Sequence, residues 1–158
     1  MMIISGGQTG ADQAGLAVAE KLGISTGGWM PKGYLTSDGP RKDLAEKYNL
    51  LEHEGGYRAR TWENVKMADV TIRLGVNFRT PGELCTKSAI IHYQKKWKDI
   101  PLHKDFNPKS IIHWLKNSDA NIINIAGNRQ NTLFQSQTWD IYKLAYKFLF
   151  VVLYELKS

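Results

Sequence analysis

The chain has 158 residues, of which 42% are hydrophobic and 23% charged, and its formal net charge is +6. These values are typical of one soluble globular domain and exclude a low-complexity chain. The single cysteine, Cys85, excludes an intrachain disulfide and predicts a cytoplasmic protein. The charge suits an anionic ligand but also fits a merely basic surface. Lysines and arginines are scattered rather than gathered in a basic tail, so a nucleic-acid partner is not favoured.

Strands and helices are predicted to alternate along the chain. The predicted strands are Met1–Ser5, Ile24–Gly28, Leu50–His53, Val70–Val76, Ile100–His103 and Asn121–Ala126. The predicted helices are Ala11–Leu22, Lys42–Tyr48, Arg60–Ala68, Glu83–Trp97, Pro108–Lys116 and Thr138–Leu156. This alternation predicts one Rossmann-like α/β domain over residues 1–158, with a parallel sheet and helices on both faces. The most apolar segment, 144–156, is too short for a membrane span, so no membrane partner is expected.

The first predicted strand ends in a glycine-rich loop, Ser5–Asp12, that leads directly into a helix. The first amides of a helix lack internal partners and lie at its positive end, so this loop predicts a phosphate or oxyanion site. Gln8 and Thr9 can hydrogen-bond an oxyanion, and Asp12 can cap the helix or hold a ligand hydroxyl. The alternative is a plain turn in which Asp12 only matches the helix dipole. No Gly-Lys-Ser/Thr ending follows, which argues against a standard ATPase.

Two further segments combine charge with loop-forming residues. Trp29 and Lys32 lie in a loop with glycines, where Trp29 can stack on a flat ring and Lys32 can meet an anion. The alternative is a structural glycine turn in which Trp29 covers the core. Arg60 and Thr61 lie at the predicted start of a helix, where anions are favoured, although ordinary capping by Thr61 explains the same pattern.

A second glycine loop, Arg79 to Thr86, opens the next predicted helix, and the loop 127–132 follows the last predicted strand. The carboxyl ends of parallel strands share one rim, so these loops and Ser5–Asp12 are expected to converge on one site. The loop after the last strand carries Arg129, either as an anion clamp or as an exposed side chain. The four histidines lack metal-ligand spacing and one cysteine cannot build a zinc site, so no metal site is predicted.

Several of these motifs occur in an order that resembles a known family. They are Ile4–Asp12, Gly28–Gly33, Arg60–Thr61 with Asn64–Val65, Thr80–Gly82 with Thr86, and Asn124–Gly127. In this order they resemble the molybdenum cofactor carrier family, which belongs to the Rossmann-like SLOG proteins related to lysine-decarboxylase-like nucleoside phosphoribohydrolases. The resemblance implies a Rossmann-like fold, assembly into a homo-oligomer (dimer or tetramer), and the molybdenum cofactor as ligand. That cofactor, molybdopterin with its metal, is a pterin that carries a phosphate and a dithiolene.

The resemblance also implies which residues hold the ligand. The phosphate would be cradled by Gly6, Gly7, Gln8, Thr9 and Gly10, with Pro81, Gly82 and Thr86 opposite. Together with the residues chosen by loop position, the predicted ligand-binding set also includes Asp12, Lys32, Arg60, Thr61, Thr80 and Glu83.

Binding without turnover is the first hypothesis, because no catalytic set is recognisable. The alternative is hydrolysis of a nucleotide at its N-glycosidic bond, with Glu83 as the acid or base and Arg79 as the phosphate clamp. The related hydrolases carry a PGGxGTxxE pattern, whereas this chain reads Pro81-Gly82-Glu83-Leu84-Cys85-Thr86, without the paired glycines or the spaced glutamate. A third hypothesis is a sensor or sponge for a nucleotide-derived signal.

Overall fold

The computed structural model describes residues 1–158 and shows an α/β protein built on a parallel sheet. The strands are Met2–Ile4 (β1), Ser25–Gly27 (β2), Trp29–Met30 (β3), Leu35–Thr36 (β4), Gly39–Pro40 (β5), Leu51–Glu52 (β6), Val70–Gly75 (β7), Lys96–Pro101 (β8), Ile122–Gly127 (β9), Thr132–Phe134 (β10) and Gln137–Trp139 (β11). The helices are Ala11–Lys21 (α1), Lys42–Tyr48 (α2), Tyr57–Met67 (α3), Pro81–His92 (α4), Pro108–Ser118 (α5) and Ile141–Lys157 (α6). The predicted Rossmann-like fold is confirmed.

The central sheet has five strands in the order β2-β1-β9-β7-β8, and all of its pairings are parallel. The last of these five strands along the chain, β9, lies between β1 and β7. Three strands that end in candidate loops are therefore direct neighbours, and their carboxyl ends lie side by side. In open parallel sheets, ligands bind at this rim.

Helices cover both faces of the sheet, and buried aliphatic side chains join them to it. The largest core cluster has 20 buried residues and combines α1, α5 and α6 with the strands. A small cluster of Val65, Ala89 and Ile90 joins α3 to α4. The side chain of Leu16 turns away from the main cluster to pack against α2 and Met30.

Several predicted boundaries were wrong, among them the strand Ile100–His103, which the structure places at Lys96–Pro101. The predicted helix Glu83–Trp97 ends at His92, and its last two residues begin the edge strand β8. The lysines and tryptophan at the start of β8 are all exposed, so the alternating pattern that identifies a strand is absent there. Helix α3 begins at Tyr57 after Gly56, so Thr61 lies inside the helix and does not cap it. A hairpin of β10 and β11 precedes α6, which begins after the N-cap Asp140.

Candidate functional site

A cavity of about 540 Å³ opens at the carboxyl ends of β1, β7 and β9. Twenty residues line it, and only three of them are hydrophobic. They are Gly6, Gln8, Asp12, Tyr57, Arg58, Arg60, Thr61, Asn64, Thr80, Pro81, Gly82, Glu83, Cys85, Thr86, Asn124, Ala126, Gly127, Asn128, Arg129 and Thr132. All three loops that were expected to converge contribute to this wall. The volume falls in the range of about 300–1,000 Å³ that is usual for small-molecule sites.

The amides of the first glycine loop are largely bonded inside the chain. The N–H of Gly7 donates to Ser5 Oγ at 3.4 Å, and the N–H of Gln8 donates to Asp12 Oδ2 at 3.1 Å. The N–H of Thr9 donates to Gln8 Oε1 at 2.9 Å, and the N–H of Ala11 donates to the Asn128 carbonyl at 3.1 Å. The loop is thus held by its own side chains, and fewer free amides face the cavity than the sequence pattern suggests.

The carboxylate of Asp12 lies where an anion at this helix terminus would lie. It accepts a loop N–H, and its side chain is buried in the cavity wall. Burial raises the pKa of Asp12 to about 6, although the nearby Arg60 and Arg129 and the amides of Gln8 and Gly6 oppose the shift. Since two negative groups at one place repel each other, a phosphate is better accommodated on the arginine side of the cavity.

Three arginines line the cavity, and none of them pairs with a carboxylate inside the chain. Arg60 is 6% exposed and donates from Nη1 to the Gly6 carbonyl at 2.6 Å, so it ties α3 to the first loop. The guanidinium groups of Arg60 and Arg129 both lie 5.3 Å from the Tyr57 ring centroid. Arg58 lies over the Trp62 ring instead. This side of the cavity is strongly cationic.

The second glycine loop brings a buried acid into the cavity. The Thr80 hydroxyl accepts the Glu83 N–H and caps α4, with Pro81 as the first residue of the helix. Glu83 is 3% exposed, and its Oε2 has no hydrogen-bond partner in the chain. Burial raises the pKa of Glu83 to about 8, with a smaller opposing contribution from Arg73. At neutral pH this side chain is therefore mostly an uncharged acid.

Asn128, which lies outside the predicted ligand-binding set, holds the loops of the rim together. Asn128 Oδ1 accepts the N–H groups of Val76 and Asn77 at 2.7 and 3.0 Å, and its Nδ2 donates to the Asn77 carbonyl. Gly10 has φ +86, and a Cβ there would overlap the Asn128 carbonyl oxygen. Asn128 therefore connects the loops after all three strands. An asparagine two residues after a predicted strand end was the available signal.

Two other asparagines of the cavity wall have similar roles. Asn64 bonds both the N–H and the carbonyl of Trp29, which fixes α3 against β3. Asn124 donates from Nδ2 to Thr71 Oγ1 across β9 and β7. Neither pairing can be seen in the sequence, because the partners lie 35 and 53 residues away.

Some predicted residues lie outside the cavity wall. Lys32 is exposed in a short 3₁₀ turn, and Arg79 is exposed beside the second loop. Gly7, Thr9 and Gly10 belong to the first loop but do not line the cavity. Thr9 Oγ1 accepts the N–H of Gln130 at 3.3 Å. The remaining predicted residues all line the cavity: Gly6, Gln8, Asp12, Arg60, Thr61, Thr80, Pro81, Gly82, Glu83 and Thr86. Their binding role stays a prediction.

No group of three or more His, Cys, Asp or Glu side chains is arranged to hold a metal ion. Cys85 is a free thiol in the cavity wall. None of the helices has the length and apolarity needed to cross a bilayer.

Comparison with known proteins agrees with the resemblance seen in the sequence. A family model described as the circularly permutated YpsA SLOG family matches residues 3–153. The chain is also similar to a protein from Syntrophus aciditrophicus SB that bears the provisional name molybdenum carrier protein, in a crystal structure at 1.45 Å resolution. The two share 32% identity and a TM-score of 0.82, and the match covers 96% of this chain and 94% of that chain. No significant match exists among curated proteins. Because the family model spans the sheet and all the cavity-lining loops, the chain belongs to the circularly permutated YpsA SLOG family.

Proposed function

We propose that the protein binds a small phosphate-bearing pterin or nucleotide in this cavity and releases it unchanged, as a carrier. The observation that carries the proposal is the group of three arginines, Arg58, Arg60 and Arg129, none of which has a carboxylate partner. Guanidinium groups bind phosphate through paired, charge-assisted hydrogen bonds. Arg60 and Arg129 both lie over the Tyr57 ring, which holds the two guanidinium groups close together.

The residues of the cavity fit the molybdenum cofactor. The arginines would hold its phosphate, and the unpartnered polar atoms of Gln8 and Glu83 would face its pterin ring. The dithiolene of the cofactor holds the metal, so the protein needs no metal cluster of its own. When bound, the cofactor supplies a redox-active molybdenum centre. The chain's part is to hold the phosphate and ring, and the name of the Syntrophus aciditrophicus relative supports this ligand class.

Titration calorimetry with inorganic phosphate, molybdate, GMP, AMP and a pterin phosphate tests the carrier proposal. We expect at least one phosphate-bearing ligand to bind, and Arg129→Gln to weaken that binding about tenfold, as the loss of one charged hydrogen bond does. Arg79→Gln is the matched control, because Arg79 is exposed and outside the cavity. The proposal fails if folded protein binds none of these phosphate compounds, or if the two variants lose affinity equally.

Hydrolysis of a nucleotide is the second candidate, and the protonated Glu83 favours it, since a buried acid with a pKa of about 8 can donate a proton to a leaving base. Arg79 lies outside the cavity, so Arg129 or Arg60 would have to clamp the phosphate. Release of free base from a nucleoside monophosphate, lost in Glu83→Gln, would favour the enzyme over the carrier. A native mass spectrum identifies any ligand that co-purifies, and an intact nucleotide-derived signal would favour the sensor or sponge.

We also propose that the chain forms a homo-oligomer and works in the cytoplasm. Apolar side chains remain exposed on two helices, with Leu84 and Ile91 on α4 at 55% and 62% and Tyr154 on α6 at 54%. The free thiol of Cys85 suits a reducing compartment. Sedimentation velocity at micromolar concentration reports the mass, and a monomer would contradict the assembly.

A further inference from the structure

Two polar side chains in the cavity wall keep one atom each without a partner in the chain. They are Gln8, through Nε2, and Glu83, through Oε2, and the two residues are only 5% and 3% exposed. A buried polar group without a hydrogen bond costs about 1–3 kcal/mol, so such groups are rare in folded proteins. Two of them in one cavity point to a ligand that completes their hydrogen bonds.

The amide of Gln8 has a fixed orientation. Its Oε1 accepts the N–H of Thr9 at 2.9 Å and the N–H of Ser37 at 2.8 Å. Both lone pairs of that oxygen are therefore used, and a flipped amide would place its NH₂ group against two N–H donors. Nε2 is consequently a donor, and no acceptor for it lies within the chain.

Glu83 has no cation within the chain to pair with its carboxyl group. The nearest candidate, Arg73, makes two hydrogen bonds of 2.7 Å to Asp99 and donates its Nη1 to the backbone carbonyl of Glu83. The Glu83 side chain is left to a ligand, and a carboxylate with a free edge suits a pair of adjacent N–H donors.

We propose that Glu83 and Gln8 read a 2-amino-4-oxopyrimidine ring, the ring that pterins and guanine share. This inference rests on the proposed binding function. The Glu83 carboxylate would accept the ring N–H and the exocyclic amino group side by side, and Gln8 Nε2 would donate to an acceptor of the same ring. Adenine has a ring nitrogen lone pair beside its amino group, so it would pair with the protonated acid and not with the carboxylate, and its binding would release no proton. Hypoxanthine has the ring N–H but lacks the amino group.

Recognition of this kind changes the protonation of the site. Burial raises the pKa of Glu83 to about 8, with Asp12 and Asp99 raising it further and Arg73 lowering it. The free protein therefore holds this proton at pH 7, where Asp12, with a pKa of about 6, is mostly ionised. Accepting two N–H bonds needs the carboxylate form. Binding of the ring therefore releases a proton, which a merely structural Glu83 would not do.

Calorimetry at pH 7 in buffers of different ionisation enthalpy measures affinity and proton release together. The probes are GMP, IMP, AMP and 6-hydroxymethylpterin phosphate. We expect GMP and the pterin phosphate to bind at least about tenfold tighter than IMP, as the loss of one hydrogen bond to a charged group predicts, and to release a proton, whereas AMP should release none. Whichever of the two binds tighter identifies the source of the ring.

Glu83→Gln is expected to remove both the preference and the proton release while IMP still binds through the arginines. Glu46→Gln, on the exposed surface of α2, is the matched control and should behave as wild type. Equal binding of GMP and IMP by the wild-type protein, or the same proton release for AMP as for GMP, would overturn the ring assignment and leave phosphate binding intact. A preference that survives in Glu83→Gln would overturn the role of Glu83. Absence of binding by all four probes would overturn the proposed function itself.

Discussion

Two buried carboxyl groups, Asp12 and Glu83, dominate the electrostatics of the cavity at the residue scale. Burial raises both pKa values, to about 6 and about 8. They lie among cationic side chains, yet Arg60 bonds a backbone carbonyl and Arg73 bonds Asp99. The cavity therefore holds two acids whose pKa values are raised by burial, a feature that is common at functional sites.

The free energy of unfolding is expected to fall as pH rises through the titration range of Glu83. The folded pKa, about 8, exceeds the ordinary value of 4.5, so the folded protein binds more protons than the unfolded chain in between. The loss amounts to about 1.4 kcal/mol per pH unit at most. Glu83→Gln should flatten the decline between pH 6 and 8, as measured by urea unfolding, and Glu46→Gln should keep the wild-type slope. Parallel curves for all three proteins would contradict this prediction.

Asn128→Ala is expected to destabilise the protein by about 2–4 kcal/mol, because two backbone N–H groups lose their acceptor. Hydrogen exchange should accelerate at Val76 and Asn77 in particular. Asn117→Ala on α5 is the control, since Asn117 is exposed and bonds only His113; it should change stability by less than about 0.5 kcal/mol. Equal effects of the two substitutions would show that the Asn128 bonds contribute little.

At the scale of elements, the site depends on how closely α1 approaches the sheet. Gly15 lies on α1 against β9, and a Cβ there would come within 2.7 Å of Ile125 Cγ2. Gly82, in the first turn of α4, has open space around it. The two glycines are both helical, but only one is required by packing.

Gly15→Ala is expected to lower the free energy of unfolding by about 1–3 kcal/mol, since overpacking outweighs the gain in helix propensity. Gly82→Ala, the matched control, should leave stability unchanged or raise it by up to about 1 kcal/mol. Thermal and urea unfolding measure both. If Gly15→Ala were as stable as Gly82→Ala, the close contact between α1 and β9 would not be a constraint.

At the scale of the whole molecule, one core joins the two ends of the chain. Ile3 from the first strand and Leu153 from the last helix belong to the same cluster of 20 buried residues. Helix α6 packs against both α1 and α5. Helix α1, which follows the first glycine loop, is thus supported by the C-terminal helix α6.

Leu149→Ala on α6 is expected to destabilise the whole molecule by about 2–5 kcal/mol, because Leu149 is fully buried and its removal leaves a cavity. Val151→Ala, two residues away and 44% exposed, should cost less than about 1 kcal/mol. Unfolding followed by tryptophan fluorescence and by circular dichroism should give coincident transitions. Separate transitions would show that α6 unfolds independently of the sheet.

The sequence by itself determined the alternation of strands and helices and the two glycine loops, because apolar periodicity and Gly/Pro positions are local signals. Helix α2 was predicted with its observed bounds, and ten predicted site residues line the cavity. Local signals failed where a distant partner determines the secondary structure. Lys96 and Trp97 were predicted to be helical, but they belong to a strand because they pair with β7.

Only the tertiary structure decided the strand order, the partners of the loop amides and the state of the acids. The pattern around Gly6 to Gly10 suggests free amides, yet Asp12 and Asn128 accept some of them. Glu83 is an ordinary glutamate in the sequence, and burial beside Asp12 is what raises its pKa. The physical reason is that desolvation and hydrogen-bond pairing depend on what surrounds a group in space, which residues far along the chain supply.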